Sequence, residues 1–225
     1  MRLQPEAALA DDRYVFVQDF LKRRPAPAEG GGVFDLGAGE VSVMRADVES
    51  AGYTWRGFDL VPSSADVSQW NIDTPFTGSE RADVVLLMDV IEHTFNPGFA
   101  IRNIADALKP GGRLVMTTPN PRWSRARTLH LFSGFPACFT QHDLDVNHHV
   151  FPLWPHVMEQ LVAEAGLEVE RYVVLDRDEI KPKPLSAASP GLWVEGLMRK
   201  AIEARDLSSR GMSYAVVARR AGAAA

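Results

Sequence analysis

The stretch Val33-Phe-Asp-Leu-Gly-Ala-Gly-Glu40 decides the fold. Its apolar run ends in Asp-Leu-Gly-x-Gly, which is typical of a buried strand that breaks into a glycine turn. Two glycines let the backbone approach a ligand that any Cβ would block. Residues 41–51 have a helical pattern, so the turn is expected at a helix N-terminus. A strand, a glycine turn and a helix in this order build a nucleotide-type pocket at the carboxyl end of a parallel sheet.

The spacing after the turn indicates which kind of nucleotide is bound. A dinucleotide fingerprint requires G-x-G-x-x-G/A, whereas Ser42 occupies the third small position here. The next predicted strand, Tyr53 to Phe58, ends in Asp59, at the tip of the neighbouring strand. A carboxylate at that point can accept hydrogen bonds from both hydroxyls of a ribose. The sequence therefore predicts a ligand that carries a ribose.

Strand and helix patterns alternate along most of the chain, which implies parallel strands with right-handed helical crossovers. Lys109-Pro-Gly-Gly112 has Pro and then Gly at the centre of a tight turn, which favours type II geometry. The predicted strands are 33–36, 53–58, 66–70, 82–88, 113–118, 168–175 and 212–218, and the predicted helices are 6–24, 41–51, 97–108 and 192–205.

Two segments interrupt this alternation. Residues 119–150 form a long excursion with one Trp, three Arg and three Phe, and we expect an acceptor-side lid there. Residues 176–210 form an insertion before the last strand. We interpret 1–225 as one domain, with residues 1–31 as an N-terminal helix and joint. An apolar stripe at Leu192-Trp193, Met198 and Ile202 either packs on its own domain or forms a homodimer contact.

Composition and charge narrow the class of protein. The 225 residues are 46% hydrophobic and 24% charged, with a net charge of −5, which is ordinary for a globular domain and argues against a nucleic-acid partner. The single cysteine, Cys138, excludes an internal disulfide, and no run reaches ~18 apolar residues. We therefore expect a cytoplasmic protein without a membrane partner. A basic cluster at Arg122, Arg125 and Arg127 favours a solvated helix face over a site for an anionic acceptor.

Taken together, these motifs resemble those of class I S-adenosylmethionine-dependent methyltransferases that act on small molecules. The resemblance implies an α/β, Rossmann-like three-layer sandwich, whose seven-stranded sheet is mostly parallel with an antiparallel last strand. It also implies S-adenosyl-L-methionine as the cofactor. The matching blocks are Val33–Glu40, Gly57–Leu60, Ala82–His93, Leu108–Asn120 and His149–Gly166.

The resemblance also implies a set of cofactor-binding residues. The glycine turn and its strand are expected at the methionine end, Asp59 at the ribose, and the residues after the second and third strands at the adenine. Asn71 stands where an acid is commoner, but its side-chain oxygen can still accept from the exocyclic amine. The full set is Asp35, Gly37, Ala38, Gly39, Asp59, Leu60, Asn71, Ile72, Asp89, Val90 and His93.

Histidine is suited to removing a proton from an alcohol acceptor, because its unperturbed pKa is near 6.5. The resemblance places a histidine at His149, just before a helix that begins with proline. His148 and His149 point to opposite faces in an extended segment, so one of them is expected to be the base, and we favour His149. Metal-ligand residue types also gather between His142 and His149. We predict no metal, because magnesium prefers carboxylates and water, and no standard zinc spacing is present.

The leading functional hypothesis is methyl transfer to a small-molecule hydroxyl of the saccharide or secondary-metabolite type. Three alternatives stay open at this point: an N-methyltransferase, a nicotinamide-dependent oxidoreductase, and a non-catalytic domain that binds S-adenosylmethionine. Fold alone never fixes the acceptor.

Overall fold

The computed structural model describes residues 3–6, 11–40, 43–178, 180 and 190–222. Seven strands and seven α-helices make up this part of the chain. The strands are β1 (Gly32–Leu36), β2 (Thr54–Asp59), β3 (Val67–Gln69), β4 (Ala82–Met88), β5 (Leu108–Pro119), β6 (Leu167–Arg177) and β7 (Gly211–Arg220). The helices are α1 (Arg13–Lys22), α2 (Arg45–Ser50), α3 (Pro97–Ala107), α4 (Ser124–Ser133), α5 (Gln141–Asn147), α6 (Pro155–Glu164) and α7 (Pro190–Arg205).

The strands form a single sheet in the order β3-β2-β1-β4-β5-β7-β6. Strands β1 to β5 pair in parallel, whereas β7 is antiparallel to both of its neighbours, β5 and β6. The last strand of the chain therefore lies inside the sheet. This confirms the predicted α/β fold with a mostly parallel, seven-stranded sheet and an antiparallel last strand.

Each face of the sheet is buried under its own helices. Successive side chains of a strand point to opposite faces, so Phe34 and Leu36 join one apolar cluster while Val33 joins the other. Helices α3 and α6 cover the first cluster with residues such as Ile101 and Met158. Helix α1 covers the second cluster with Phe16, Val17, Phe20 and Leu21. Strands buried on both faces explain the continuous apolar runs in the sequence.

Capping residues account for where the helices begin. The Asp12 side chain accepts hydrogen bonds from the N–H groups of Tyr14 and Val15, so α1 begins at Arg13 rather than at residue 6. Residues 7–10 of that predicted helix lie outside the described residues. The helix predicted over 41–51 begins at Arg45, and residues 41–42 also lie outside the described part.

The predicted turn at residues 109–112 is present, but it interrupts the start of β5. Leu108 already pairs with Ala82, and the register resumes with Val84 opposite Arg113. Gly111 has φ +79°, which a type II turn requires at its third position. Strand β5 therefore begins earlier, at Leu108, than the strand predicted over 113–118.

The excursion at residues 119–150 contains helices α4 and α5, which the pattern of apolar residues did not predict. Helix α5 has no buried residue, and Thr140 caps it in a capping box with Asp143. Such a helix is specified by its polar cap rather than by an apolar face, so periodicity alone misses it.

Helix α7 confirms most of the helix predicted over 192–205. Half of its predicted apolar stripe is exposed, since Leu192 and Trp193 retain 46% and 41% of their accessible surface. A homodimer contact there stays a prediction. Among the helices described, none combines the length and apolarity needed to cross a membrane.

Candidate functional site

The glycine turn after β1 has a backbone that only glycine adopts without strain. Gly37 has φ +73° and Gly39 has φ +59°. A Cβ added at Gly37 would lie 2.4 Å from Cγ2 of Val90, so a side chain there would collide with the loop after β4. The Gly37 N–H donates to the carbonyl of Phe58 at 2.8 Å, and the Gly39 N–H donates to Oδ2 of Asp59 at 3.0 Å. The end of β2 thus holds the turn in place.

Two adjoining cavities lie at the carboxyl ends of the parallel strands, and both are bounded by Gly37 and Asp89. One measures about 350 Å³ and the other about 320 Å³. Every predicted cofactor-binding residue lines one of them. The larger cavity has Gly37, Asp59, Leu60, Asn71, Ile72, Asp89, Val90 and His93 on its wall, and the smaller one adds Asp35, Ala38 and Gly39.

The larger cavity has the chemistry that a nucleoside requires. Its wall is apolar at Leu36, Phe58 and Ile72, which suits a flat base. Asp59 stands at the end of β2, and its two oxygens each accept only one backbone N–H, from Gly39 and Val61. A carboxylate has further lone pairs to offer, so ribose hydroxyls can still bind to Asp59.

Asp35 is a buried acid at the smaller cavity. It is 4% exposed, and the indole N–H of Trp55 donates to it at 3.1 Å. Burial raises the pKa of Asp35 to about 6, and the Trp55 hydrogen bond partly opposes that rise. A cation near Asp35 would favour its ionised form, as the ammonium group of a methionine moiety would.

Arg13 is a site residue that the sequence analysis missed. It lies at the start of α1, lines the smaller cavity, and binds Oδ2 of Asp89 with its Nη1 at 2.8 Å. Asp89 has φ +52° and also accepts from the hydroxyl of Thr117 at 2.8 Å. No local sequence pattern could identify Arg13, because Arg13 meets Asp89 only when α1 packs on the sheet.

His149 lies beside His93, with 4.9 Å between the ring centroids. Its Nδ1 is 2.7 Å from the carbonyl oxygen of Cys138. A carbonyl can only accept a hydrogen bond, so Nδ1 carries the proton and Nε2 keeps its lone pair. His148 instead ends α5, is exposed and has φ +57°. Of the two candidate bases, His149 is therefore the one whose ring packs against the ring of a residue of the larger cavity.

Glu92 is completely buried behind these histidines. Burial, followed by the charge of Asp89, raises the pKa of Glu92 to about 8, so it is a neutral acid at pH 7. Its Oε2 accepts from the hydroxyl of Thr118, and its backbone carbonyl accepts from the N–H groups of Val150 and Phe151. Glu92 thereby ties the segment after His149 to the end of β4. The sequence singled out the Glu-His pair but gave no sign of this burial.

The residues that could hold a metal ion differ from the cluster that the sequence suggested at residues 142–149. Glu92, His93 and His149 place ligand atoms within 4.8 Å of one another, and only His149 belonged to the cluster considered at residues 142–149. Neutral Glu92 would have to lose its proton before it could bind a metal ion. The absence of a bound metal ion stays a prediction. The roles of Glu92, His93 and His149 in binding and catalysis also stay predictions.

The basic cluster is engaged within the protein. Arg122 and Arg127 bind Oδ2 of Asp206 at 2.9 Å and 3.3 Å, and Arg125 lies over the ring of Trp123. These contacts favour the predicted helix face over a site for an anionic acceptor.

Comparison with known proteins agrees with this geometry. Residues 7–172 match the model of a family described as a methyltransferase domain. A ubiquinone biosynthesis O-methyltransferase of Methylobacterium nodulans is 30% identical over 125 residues, which cover 49% of this chain and 47% of that protein. One of the same name from Rhizobium etli is 28% identical, over 73% of this chain and 69% of that protein. This chain thus matches about half the length of the first relative.

Solved structures share the fold at low sequence identity. An S-adenosylmethionine-dependent methyltransferase of Archaeoglobus fulgidus superposes with a TM-score of 0.56 at 16% identity, covering 92% of this chain and 94% of that one. Another from Mesorhizobium loti gives a TM-score of 0.53 at 15% identity, covering 91% and 96%.

The chain belongs to the methyltransferase domain family, and its sheet is that of the class I S-adenosylmethionine-dependent methyltransferases. The predicted family is confirmed, and S-adenosyl-L-methionine is the cofactor that this membership implies. The nicotinamide-dependent alternative is not supported, because the matched family is a methyltransferase domain. The sheet also departs from the classic dinucleotide-binding order 3-2-1-4-5-6, since antiparallel β7 lies between β5 and β6.

Proposed function

We propose that this protein transfers a methyl group from S-adenosyl-L-methionine to a hydroxyl of a small molecule, with His149 as the general base. The observation that carries the proposal is the hydrogen bond from His149 Nδ1 to the Cys138 carbonyl. It leaves Nε2 free to accept a proton beside the cavity wall at His93. An amine acceptor often needs no base, so a histidine held in this tautomer supports an oxygen acceptor.

The cofactor supplies a methyl group on a sulfonium that is already activated for displacement. The protein is left to align the two reactants and to take up a proton, and alignment alone can contribute about 7–11 kcal/mol. As the acceptor oxygen forms its new bond, its proton passes to Nε2 of His149. The imidazolium that results is held by the Nδ1–H bond to Cys138.

The methionine end of the cofactor is proposed to lie between Arg13 and Asp35. Arg13 is the one cation on the wall of the smaller cavity described above, so it is suited to the carboxylate of the methionine moiety. It would then exchange Asp89 for that carboxylate. Asp35 is suited to the ammonium group, and the nucleoside is proposed to occupy the larger cavity between Asp59 and Ile72.

The choice of a hydroxyl is also supported by the relatives, whose name describes them as O-methyltransferases. The net charge of −5 supports a small molecule over a nucleic acid as the acceptor. Two aromatic residues, Phe95 and Phe99, follow His93 by two and six positions. Their side chains retain 83% and 53% of their accessible surface. They offer a surface to an acceptor that has an apolar part.

Two experiments test the proposal in sequence. Calorimetric titration with S-adenosylhomocysteine and NADH should give micromolar binding of the first and none of the second. Release of S-adenosylhomocysteine is then measured with a panel of phenolic, catecholic, sugar and amine acceptors.

Replacement of the proposed base, His149, is the decisive test with this panel of acceptors. His149→Ala should lower turnover of the accepted hydroxyl compound by about 100-fold or more, since a positioned base contributes roughly that much, and should leave cofactor affinity intact. His148→Ala is the matched control and should retain activity. Turnover of amines alone would refute the oxygen assignment, and cofactor binding without any turnover would favour the non-catalytic alternative.

A further inference from the structure

Helix α5 lies between the two chain segments that meet at the proposed base, although the helix itself has no buried residue. Cys138 and Phe139 come just before its cap, and His149 follows its last residue by two positions. The Nδ1 of His149 is 2.7 Å from the Cys138 carbonyl oxygen, and its ring centroid is 5.7 Å from that of Phe139. The segment before α5 therefore supplies two of the contacts that hold the imidazole.

Both segments that flank α5 contain a residue with a left-handed backbone. Cys138 has φ +66° and His148 has φ +57°, which is uncommon for residues that have a side chain. Directly after His148, the N–H of His149 donates to the carbonyl of Asp143 at 3.3 Å, which keeps His149 against the helix. Left-handed conformations of this kind cost free energy and persist only where the surrounding contacts hold them.

The capping box of α5 supplies such contacts. The Thr140 hydroxyl accepts from the N–H of Asp143 at 3.3 Å. In return, Oδ2 of Asp143 accepts from the Thr140 N–H at 2.9 Å and from the Thr140 hydroxyl. A helix as short as α5 is not stable in water by itself, and α5 has no apolar face in the core, so its cap specifies it. Opening the cap would release Cys138 and Phe139 from their places beside His149.

We infer that α5 is a positioning element for the base, and that Thr140 and Asp143 are its positioning residues. The capping box fixes the segment that carries Cys138, so that the Cys138 carbonyl selects the Nδ1–H tautomer of His149. Both residues act through His149 rather than on the reactants. This inference rests on the proposed function, because it concerns the same histidine.

Nitrogen NMR of the imidazole tests the inference without any turnover. At a pH where His149 is neutral, the nitrogen shifts distinguish the protonated ring nitrogen from the one that keeps its lone pair. The His149 signals are identified as those that His149→Ala lacks. The wild-type protein should have its proton on Nδ1. Asp143→Ala should shift the ratio of the Nδ1–H to the Nε2–H tautomer by about 5-fold toward Nε2–H, since the helix loses its cap.

The kinetic effect should be confined to the step that uses the base. Asp143→Ala should lower kcat for the accepted hydroxyl compound by about 5-fold and leave the affinity for S-adenosylhomocysteine unchanged. Asp145→Ala is the matched control, because it removes an exposed carboxylate from the same helix, one that accepts from Gln141 on the helix surface. It should keep the wild-type tautomer and the wild-type kcat. Thermal melting checks that both variants are folded.

Conservative variants separate positioning from a general loss of structure. Asp143→Glu keeps a carboxylate at the third helical position, where glutamate also completes a capping box. It should restore both the tautomer and kcat. Thr140→Val removes the hydroxyl but keeps the shape of the side chain, and it should behave like Asp143→Ala.

Three outcomes overturn the inference. The first is a wild-type protein with the proton of His149 on Nε2, the second is an unshifted tautomer in Asp143→Ala, and the third is an equal shift in Asp145→Ala. The proposed function fails separately, if His149→Ala turns over the acceptor at the wild-type rate, because the tautomer is measured in the resting protein.

Discussion

Asp59 joins the ligand cavity to the turn that shapes it, because it lines the cavity and also accepts the Gly39 N–H. Asp59→Ala should weaken binding of S-adenosylhomocysteine by about 10-fold or more, since it removes charge-assisted hydrogen bonds to the ribose. Calorimetric titration measures this. Asp66→Ala, whose exposed side chain pairs with Arg45 outside the cavity, is the control and should bind normally. Unchanged affinity in Asp59→Ala would remove Asp59 from the ribose site.

Glu92 makes the stability of the protein depend on pH. Its pKa rises from an ordinary value of 4.5 to about 8 in the folded protein, so folding favours the protonated form. As the pH rises above 4.5, the unfolded chain ionises while the folded protein keeps its proton. The free energy of unfolding therefore falls with increasing pH until about pH 8, where the folded carboxyl ionises too.

Glu92→Gln removes this penalty, since glutamine does not ionise. Relative to wild type, the variant should gain stability between pH 5 and pH 8, by an amount on the order of a few kcal/mol at the upper end. Urea denaturation at several pH values measures the difference. Glu168→Gln alters a carboxylate that is 79% exposed and should give no such trend. Parallel pH curves for Glu92→Gln and wild type would show that the buried acid is not neutral.

At the scale of single residues, the sequence predicted groups that belong to local motifs and missed those defined by packing. Gly37 and Gly39 follow the end of the first apolar strand, and Asp59 ends the second, so each can be located from a local pattern in the sequence. Arg13 and buried Glu92 depend on contacts between distant segments, which periodicity does not encode. Their parts in binding and catalysis remain predictions.

The turn after β1 contains two glycines with similar φ angles, Gly37 and Gly39, whose substitution by alanine can be compared. Gly37→Ala adds a collision with Val90 to the strain of a positive φ and should cost roughly 2–5 kcal/mol of folding free energy. Gly39→Ala meets no atom within 4 Å and should cost only the strain, about 1–2 kcal/mol. Chemical denaturation of the two variants measures both. Equal costs would mean that the loop of Val90 moves aside freely.

Helix α7 makes buried polar contacts with the rest of the protein through one cation. Arg199 is the one buried residue among those of α7 whose burial is described, and it binds Ser124 of α4 and Asp178 after β6. Arg199→Met leaves the buried hydroxyl of Ser124 without its donor and the Asp178 carboxylate, which is 37% exposed, without its cation. The substitution should cost about 1–3 kcal/mol. Hydrogen exchange should also accelerate across α7.

A matched control for Arg199→Met is Arg23→Met, whose side chain is 75% exposed in a weak pair with Asp19. It should change stability by less than about 0.5 kcal/mol. Retained exchange protection in Arg199→Met would mean that apolar contacts hold α7 in place.

At the scale of elements, strands were predicted more accurately than the helices of the excursion at residues 119–150. The bounds of β4 agree in full, since Val84–Met88 is an unbroken apolar run closed by Asp89. Helices α4 and α5 were missed because their apolar residues do not form a buried stripe. In α4 only Ser124, Ala126 and Thr128 are buried, which are small or polar side chains.

The whole molecule depends on a strand that lies outside the segment matched by the family model. That segment ends at residue 172, whereas β7 consists of residues 211–220 and is the only strand that pairs with β6 in the described part of the chain. A variant that ends at Arg177 should therefore fail to fold. Circular dichroism and gel filtration should show lost cooperativity and association, while a variant that ends at Arg220 should fold. A monomeric, cooperative 1–177 variant would contradict this.

The interior position of β7 also bears on how the protein is made. A ribosome produces both neighbours of this strand, β5 and β6, before it reaches residue 211. Until then the growing chain has two apolar strand edges with no partner between them, which are templates for pairing with other chains. A cell that synthesises this protein must therefore shield a nearly finished chain for as long as it takes to translate α7 and β7, and we expect chaperones to engage it at that stage.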